Sequence, residues 1–129
     1  MTKPILTLTE RRLATGAIEI AVDGELDLSV ADQLQQAIDG DGSGATLIDL
    51  ADCTFIDSTG IAVVLRARRQ RDEDGGRIVL HSPSNQVLRV LKITGLTGDG
   101  LLYGDRDAAL AALDAYGATR SSSSSSSSR

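Results

Sequence analysis

Residues 46–70 read TLIDLADCTFIDSTGIAVVLRARRQ. The run Leu47-Ile48-Asp49-Leu50-Ala51 carries apolar residues on both faces, the pattern of a strand buried between layers. A few polar residues later a helical pattern opens at Ile61 and continues to about Asp74. A buried strand that feeds a helix after a short connection is half of a β-α-β unit, which restricts the chain to folds built on a largely parallel sheet. Asp57, Ser58 and Thr59 stand where that helix starts. Each can cap it, because an N-cap side chain accepts from an orphan N–H of the first turn. Three in a row, followed by Gly60, also present a hydroxyl at a helix start, where partial positive charge and free N–H groups accommodate a phosphate. Taken alone, a generous cap accounts for the same residues, and caps are commoner than phosphorylation sites.

The flanking segments extend the alternation. Residues 5–9 alternate, with Leu6 and Leu8 on one face, and Glu10-Arg11-Arg12-Leu13 continues an edge-like strand. Ala14-Thr15-Gly16 reads as a turn into a second strand with Ile18, Ile20 and Val22 on one face, so the two strands are expected to pair as a hairpin. After Gly24-Glu25-Leu26-Asp27, a helical pattern begins at Val30, with Asp27 or Ser29 as its cap, and places Val30, Leu34, Ala37 and Ile38 on one face. Glycines 40, 42 and 44 stop it; without the lysine and hydroxyl of a Walker-type motif they carry no phosphate-loop reading. The central strand is expected over 45–51, followed by a short polar loop that ends in Phe55-Ile56-Asp57-Ser58-Thr59-Gly60. Asp49 interrupts that strand and needs a partner or an exit to solvent.

The helix from Ser58 to about Asp74 is apolar nearly all round in its first two turns. Its outer apolar residues are either covered by neighbours or form a docking surface beside Ser58. Arg66, Arg68, Arg69 and Arg71 in its C-terminal half suit the helix dipole and read as a solvated face. A strand over 77–81, a helix from Ser84 to Ile93, a short strand over 101–103 and an alanine-rich helix from Asp105 to Tyr116 complete the order β-β-α-β-α-β-α-β-α. The expectation is an α/β domain whose mixed, mainly parallel sheet starts with an N-terminal β-hairpin and carries about four helices, mainly on one side.

Composition narrows the function. The 129 residues suffice for one core, and their net charge of −5 argues against a general nucleic-acid binder. One Phe, two Tyr and no Trp make no base-stacking platform. No apolar run approaches the ~20 residues of a membrane span, and the N-terminus does not read as a signal peptide, so a cytoplasmic setting is expected. The single cysteine, Cys53, forms no intrachain disulfide, and the single histidine, His81, no histidine-based metal cluster. His81 reads as structural, Cys53 as a small apolar filler. Residues 118–129, with eight serines in succession, are expected to be disordered.

Three segments together resemble one family: Gly24-Glu25-Leu26-Asp27 before the first helix, Phe55-Ile56-Asp57-Ser58-Thr59-Gly60-Ile61 before the second, and Leu88-Arg89-Val90-Leu91-Lys92-Ile93-Thr94-Gly95-Leu96 at the end of the third. The chain is similar to the STAS domain, specifically to bacterial anti-sigma factor antagonists, from Pro4 to Tyr116. The Asp-Ser-Thr-Gly step is the most specific element. The resemblance implies a STAS domain over 1–117 and a partner switch. The unphosphorylated protein binds an anti-sigma factor that is also a serine kinase and thereby frees a sigma factor. The kinase phosphorylates Ser58, the complex dissociates, and a phosphatase resets the cycle. The partner-binding residues implied are Asp27, Asp57, Ser58, Thr59, Gly60, Ile61 and Val63. No catalytic residue, metal, cofactor, nucleic acid or membrane is implied. The glycine-rich loop before the central strand and the serine tail depart from the family and leave its motif untouched.

Other readings have less behind them. The same domain serves as an interaction module in stress-sensing complexes and is attached to anion transporters. A nucleophilic Ser58 lacks a histidine partner and the Gly-x-Ser-x-Gly elbow. A flavodoxin-like phosphate loop would follow the first strand of the sheet, not the third. An antagonist regulated by a ligand or by redox chemistry at Cys53, without phosphorylation, rests on one thiol.

Overall fold

The computed structural model describes residues 6–40 and 44–115. The expectations for Ile5, Tyr116 and residues 118–129 lie outside it. Strand β1 (Leu6–Arg12) and strand β2 (Ile18–Leu26) form the expected antiparallel hairpin. Helix α1 (Leu28–Asp39) leads to strand β3 (Ala45–Asp49), which pairs parallel to β2. Strand β4 (Cys53–Ile56) and helix α2 (Ser58–Asp74) follow. Strand β5 (Arg77–His81), helix α3 (Asn85–Ile93), strand β6 (Leu102–Tyr103) and helix α4 (residues 106–115) complete the described residues. The sheet order is β1-β2-β3-β5-β6, parallel except for β1, with β4 pairing β2 beyond the end of β3.

Two layers of side chains flank the sheet. On one face Ile20, Val22, Ile48, Ile78 and Leu80 meet Leu34 and Ile38 of α1, Ile61, Val64 and Ala67 of α2, and Val87 and Leu91 of α3. On the other, Ala17, Leu47 and Val79 receive Ala109 and Leu113 of α4. Burial of such side chains contributes roughly 1.5–3 kcal/mol each, so the helices are fixed to the sheet by area, not by propensity. Three helices therefore share one face and the fourth covers the other.

Helix α1 begins two residues earlier than its apolar pattern, at Leu28, which stands exposed at the N-terminus. The larger difference is β4, in a segment expected to be loop. Its Cys53 and Ile56 are buried and its Thr54 and Phe55 exposed. A register shift between Gly24 and Glu25 of β2 lets the pairing pass from Gly24–Cys53 to Glu25–Phe55, and the bulge abolishes the period of two. The chain jogs from β3 to β4 through Leu50–Asp52. Asp49 stabilises that jog, its Oδ1 accepting from the Ala51 N–H at 2.9 Å.

Candidate functional site

The parallel pairing of β2 with β4 builds the site. Leu26 and Ile56 are register partners, and adjacent strands lie about 4.8 Å apart. The residues that follow them, Asp27 and Asp57, leave the sheet side by side at the carboxyl ends of the strands, where open α/β sheets place their sites. The Asp57 N–H donates to the Leu26 carbonyl at 3.2 Å and ties the two loops together. Both aspartates are half-buried.

Asp57 is the N-cap of α2. Its backbone is extended (φ −107°, ψ −174°), and its Oδ1 accepts from the N–H groups of Thr59 at 2.9 Å and Gly60 at 3.1 Å. One of the three cap-competent residues thus does the capping. Ser58, at the first helical position, is exposed, with its hydroxyl not needed for the cap. Thr59 beside it is half-buried.

Gly60 brings the helix onto the sheet. A Cβ there would lie 2.8 Å from the Leu26 carbonyl oxygen and 2.9 Å from both Leu26 Cγ and Ile56 Cγ1. Only a residue without a side chain lets the first turn of α2 approach the end of β2 this closely. Gly60, Ile61 and Val63, which the family resemblance implies for partner binding, are buried at the head of α2, with Ile61 and Val63 only 6% and 7% exposed. The outer positions of these turns belong to Ala62 and Leu65, both exposed.

Cys53, five residues before Ser58, is buried in the core, and its thiol donates to the Phe55 carbonyl at 3.4 Å. Burial raises its pKa. A thiol that is both covered and harder to ionise is a poor redox sensor.

A second polar cluster lies on the α4 face, and nothing in the sequence pointed to it. Glu19 of β2 is 4% exposed. Its carboxylate accepts from Arg106 Nε and Nη2 at 2.9 and 2.8 Å, from Arg11 at 2.9 Å, and faces His81 Nε2 at 3.2 Å. The Arg106 fork, opposed by the cost of burial and helped by Arg11 and His81, lowers the Glu19 pKa to about 2. Ser82 Oγ lies 2.7 Å from His81 Nδ1. Glu19, Asp49 and His81 bring possible metal-ligand atoms within 4.8 Å of one another. Arg106 and Arg11 already occupy the Glu19 oxygens, so a cation would have to displace a guanidinium. The histidine serves this knot and not Ser58.

Comparison with known proteins agrees with this geometry. The family model described as Mlab, STAS domain, matches residues 10–103. The chain belongs to the STAS-domain family. Among relatives of this STAS domain, the anti-sigma-B factor antagonist of Listeria monocytogenes is 33% identical over 86 residues, 64% of this chain and 75% of that protein. The crystal structure of an anti-sigma factor antagonist from Mycobacterium paratuberculosis superposes with a TM-score of 0.75 at 26% identity, covering 88% of this chain and 99% of the other. SpoIIAA in its unphosphorylated form shares the fold with a TM-score of 0.67 at 23% identity, over 78% of this chain and 89% of its own.

Proposed function

We propose that this STAS domain is a cytoplasmic anti-sigma factor antagonist. It binds an anti-sigma factor that is also a serine kinase and so frees a sigma factor. It is released when that kinase phosphorylates Ser58, and a phosphatase restores it. The role is regulatory, not catalytic. The observation that carries the reading is Ser58 itself: an exposed hydroxyl at the head of α2, in the Asp-Ser-Thr-Gly step, relieved of capping by Asp57. The relatives named as antagonists supply the partner class.

The electrostatics support a switch of binding and not of fold. Phosphorylation adds about −1.5 to −2 charges. At a helix N-terminus the added charge meets the positive end of the dipole, an interaction worth about 0.3–1 kcal/mol. In a docked interface beside Asp27 and Asp57 the same charge is repulsive and costly to desolvate. Asp27, Asp57, Ser58 and Thr59 form the contact surface in this reading, while Gly60, Ile61 and Val63 hold it in place from beneath.

The test uses the anti-sigma factor from the same cell, retained on the immobilised Ser58→Ala chain, identified by its ATP-binding sequence and purified. With ATP it is expected to transfer one phosphate to the wild-type protein, on Ser58 and not Thr59, and none to Ser58→Ala. Ser58→Glu is expected to fold and to bind poorly. Phosphate uptake by Ser58→Ala at the wild-type level removes the site assignment. Equal affinity of the kinase for the phosphorylated and unmodified forms removes the switch.

A further inference from the structure

Ten of the basic residues lie within the described residues, and most are used internally. Arg11 and Arg106 hold Glu19, Arg12 donates to the Gly16 carbonyl, Arg68 to the Asp99 carbonyl, Arg71 to the Ile38 carbonyl and Thr46 Oγ1, and Arg77 to the Gly100 carbonyl. No hydrogen bond or ion pair joins Arg66, Arg69, Arg89 or Lys92 to another described residue, and all four are exposed. In a chain of net charge −5, with acidic residues in excess, unpaired cations are the rarer feature. Arg69 precedes Glu73 by four positions, the less favourable order for a helical ion pair.

Two of these cations share a face with Ser58. At 100° per residue, Ser58, Ala62, Leu65, Arg66 and Arg69 fall on one stripe of α2, turned away from the buried Val63, Val64 and Ala67 and flanked by the buried Ile61. Every member of the stripe is exposed, Leu65 by 41%. The stripe runs about 16 Å from Ser58 to Arg69 at 1.5 Å per residue. Its upper part is small and apolar, and its lower part is positive.

We propose that the docking face of Ser58 extends down this outer stripe of α2, and that the surface of the anti-sigma factor meeting Arg66 and Arg69 is acidic. The proposal rests on the functional reading above and adds the partner's chemistry to it. The apolar Ala62 and Leu65 supply area next to the phosphorylation site, and the guanidinium pair supplies charge complementarity. It also gives phosphorylation a sharper lever. Arg66 lies about 12 Å along the helix from Ser58, twice the i,i+4 spacing at which helical side chains pair. A phosphate on Ser58 therefore adds negative charge on the same face that an acidic partner surface must approach, which opposes docking.

The experiment measures association and dissociation rates of the purified anti-sigma factor with four full-length chains at 50 and 300 mM salt: wild type, Arg66→Glu/Arg69→Glu, Arg89→Glu/Lys92→Glu, and Ser58→Glu. The two double variants change net charge equally, so they separate the α2 stripe from the charge of the whole protein. The α2 reversal is expected to slow association ~10-fold or more at low salt, with the difference shrinking at high salt, while the α3 reversal slows it less than ~2-fold. An α2 reversal that associates at the wild-type rate, or faster, overturns the proposal, as does an equal effect of both reversals. Binding that ignores Ser58→Glu instead overturns the functional reading on which the proposal rests, whatever the α2 reversal does.

Discussion

Gly60→Ala tests how the site is held. The added Cβ would sit 2.8 Å from the Leu26 oxygen and 2.9 Å from side-chain carbons of Leu26 and Ile56. Those side chains are 0% and 2% exposed, so they have no free space to yield. The Leu26 oxygen is also the acceptor of the Asp57 N–H. Relief requires the first turn of α2 to withdraw by about 0.5 Å to reach ordinary contact. Overpacking of this kind costs about 1–3 kcal/mol. The better helix propensity of alanine offsets up to about 1 kcal/mol of it. A net loss of about 1–2 kcal/mol corresponds to a Tm lower by about 4–8 °C for a domain of this size. Thermal unfolding followed by circular dichroism measures it. The partner should also bind less well, because the withdrawal parts Ser58 from Asp27. Gly98→Ala is the control, since no atom lies within 4 Å of its Cβ position, and it should leave Tm within about 2 °C. A Gly60→Ala protein as stable as wild type would refute the close-approach argument.

The remaining expectations concern other parts of the molecule. Glu19 has a folded pKa of about 2 against 4.5 for the free group. A depressed pKa stabilises the fold above 4.5 and loses that contribution as pH falls toward 2, up to about 3 kcal/mol. Urea unfolding of wild type should therefore weaken over that window, and Glu19→Gln should flatten the dependence while lowering stability at pH 7. The Cys53 thiol should react with a thiol reagent only on the unfolding time scale, measured by the rate of reagent release with and without denaturant, because it is covered and its pKa is raised by burial. Ser58→Ala should change stability by less than about 0.5 kcal/mol in chemical denaturation, since Asp57 and not Ser58 caps α2.

Helix α2 was legible in the sequence from Ser58 to Asp74 because its signals coincide, three cap-competent residues and an apolar onset; in the structure Gly75 closes it in the left-handed conformation at φ 77°. The hairpin was legible for the same reason, an alternation bounded by a turn. Strand β4 was not, because the bulge at Gly24/Glu25 puts its buried residues, Cys53 and Ile56, three apart. Without β4 the sequence offers no geometric reason for Asp27 and Asp57 to emerge together; only the family motifs brought them to one site. The inward direction of Ile61 and Val63 was equally hidden, since two turns apolar nearly all round do not say which side meets the sheet. The Glu19 knot depends on residues 8, 62 and 87 positions away. The nearest, Arg11, stands opposite Glu19 in the hairpin, but no local pattern encodes the separations to His81 and Arg106, and each partner alone reads as an ordinary surface or structural residue.

Under the function proposed above, the arrangement at the head of α2 favours adding a charge there with little cost to the fold. Asp57 Oδ1 already satisfies the Thr59 and Gly60 N–H groups. A phosphate on Ser58 would compete for those same donors, exchanging one anionic acceptor for another at the positive end of the helix dipole. The anchors of α2, Ile61, Val64 and Ala67, lie on its opposite side against the sheet, and the ionic knot that fixes α4 lies on the far face. Neither senses the added charge by contact. A modification so isolated from the core acts on whatever lies across the exposed stripe. The consequence of phosphorylating Ser58 is therefore to be sought in binding rates, not in melting temperature.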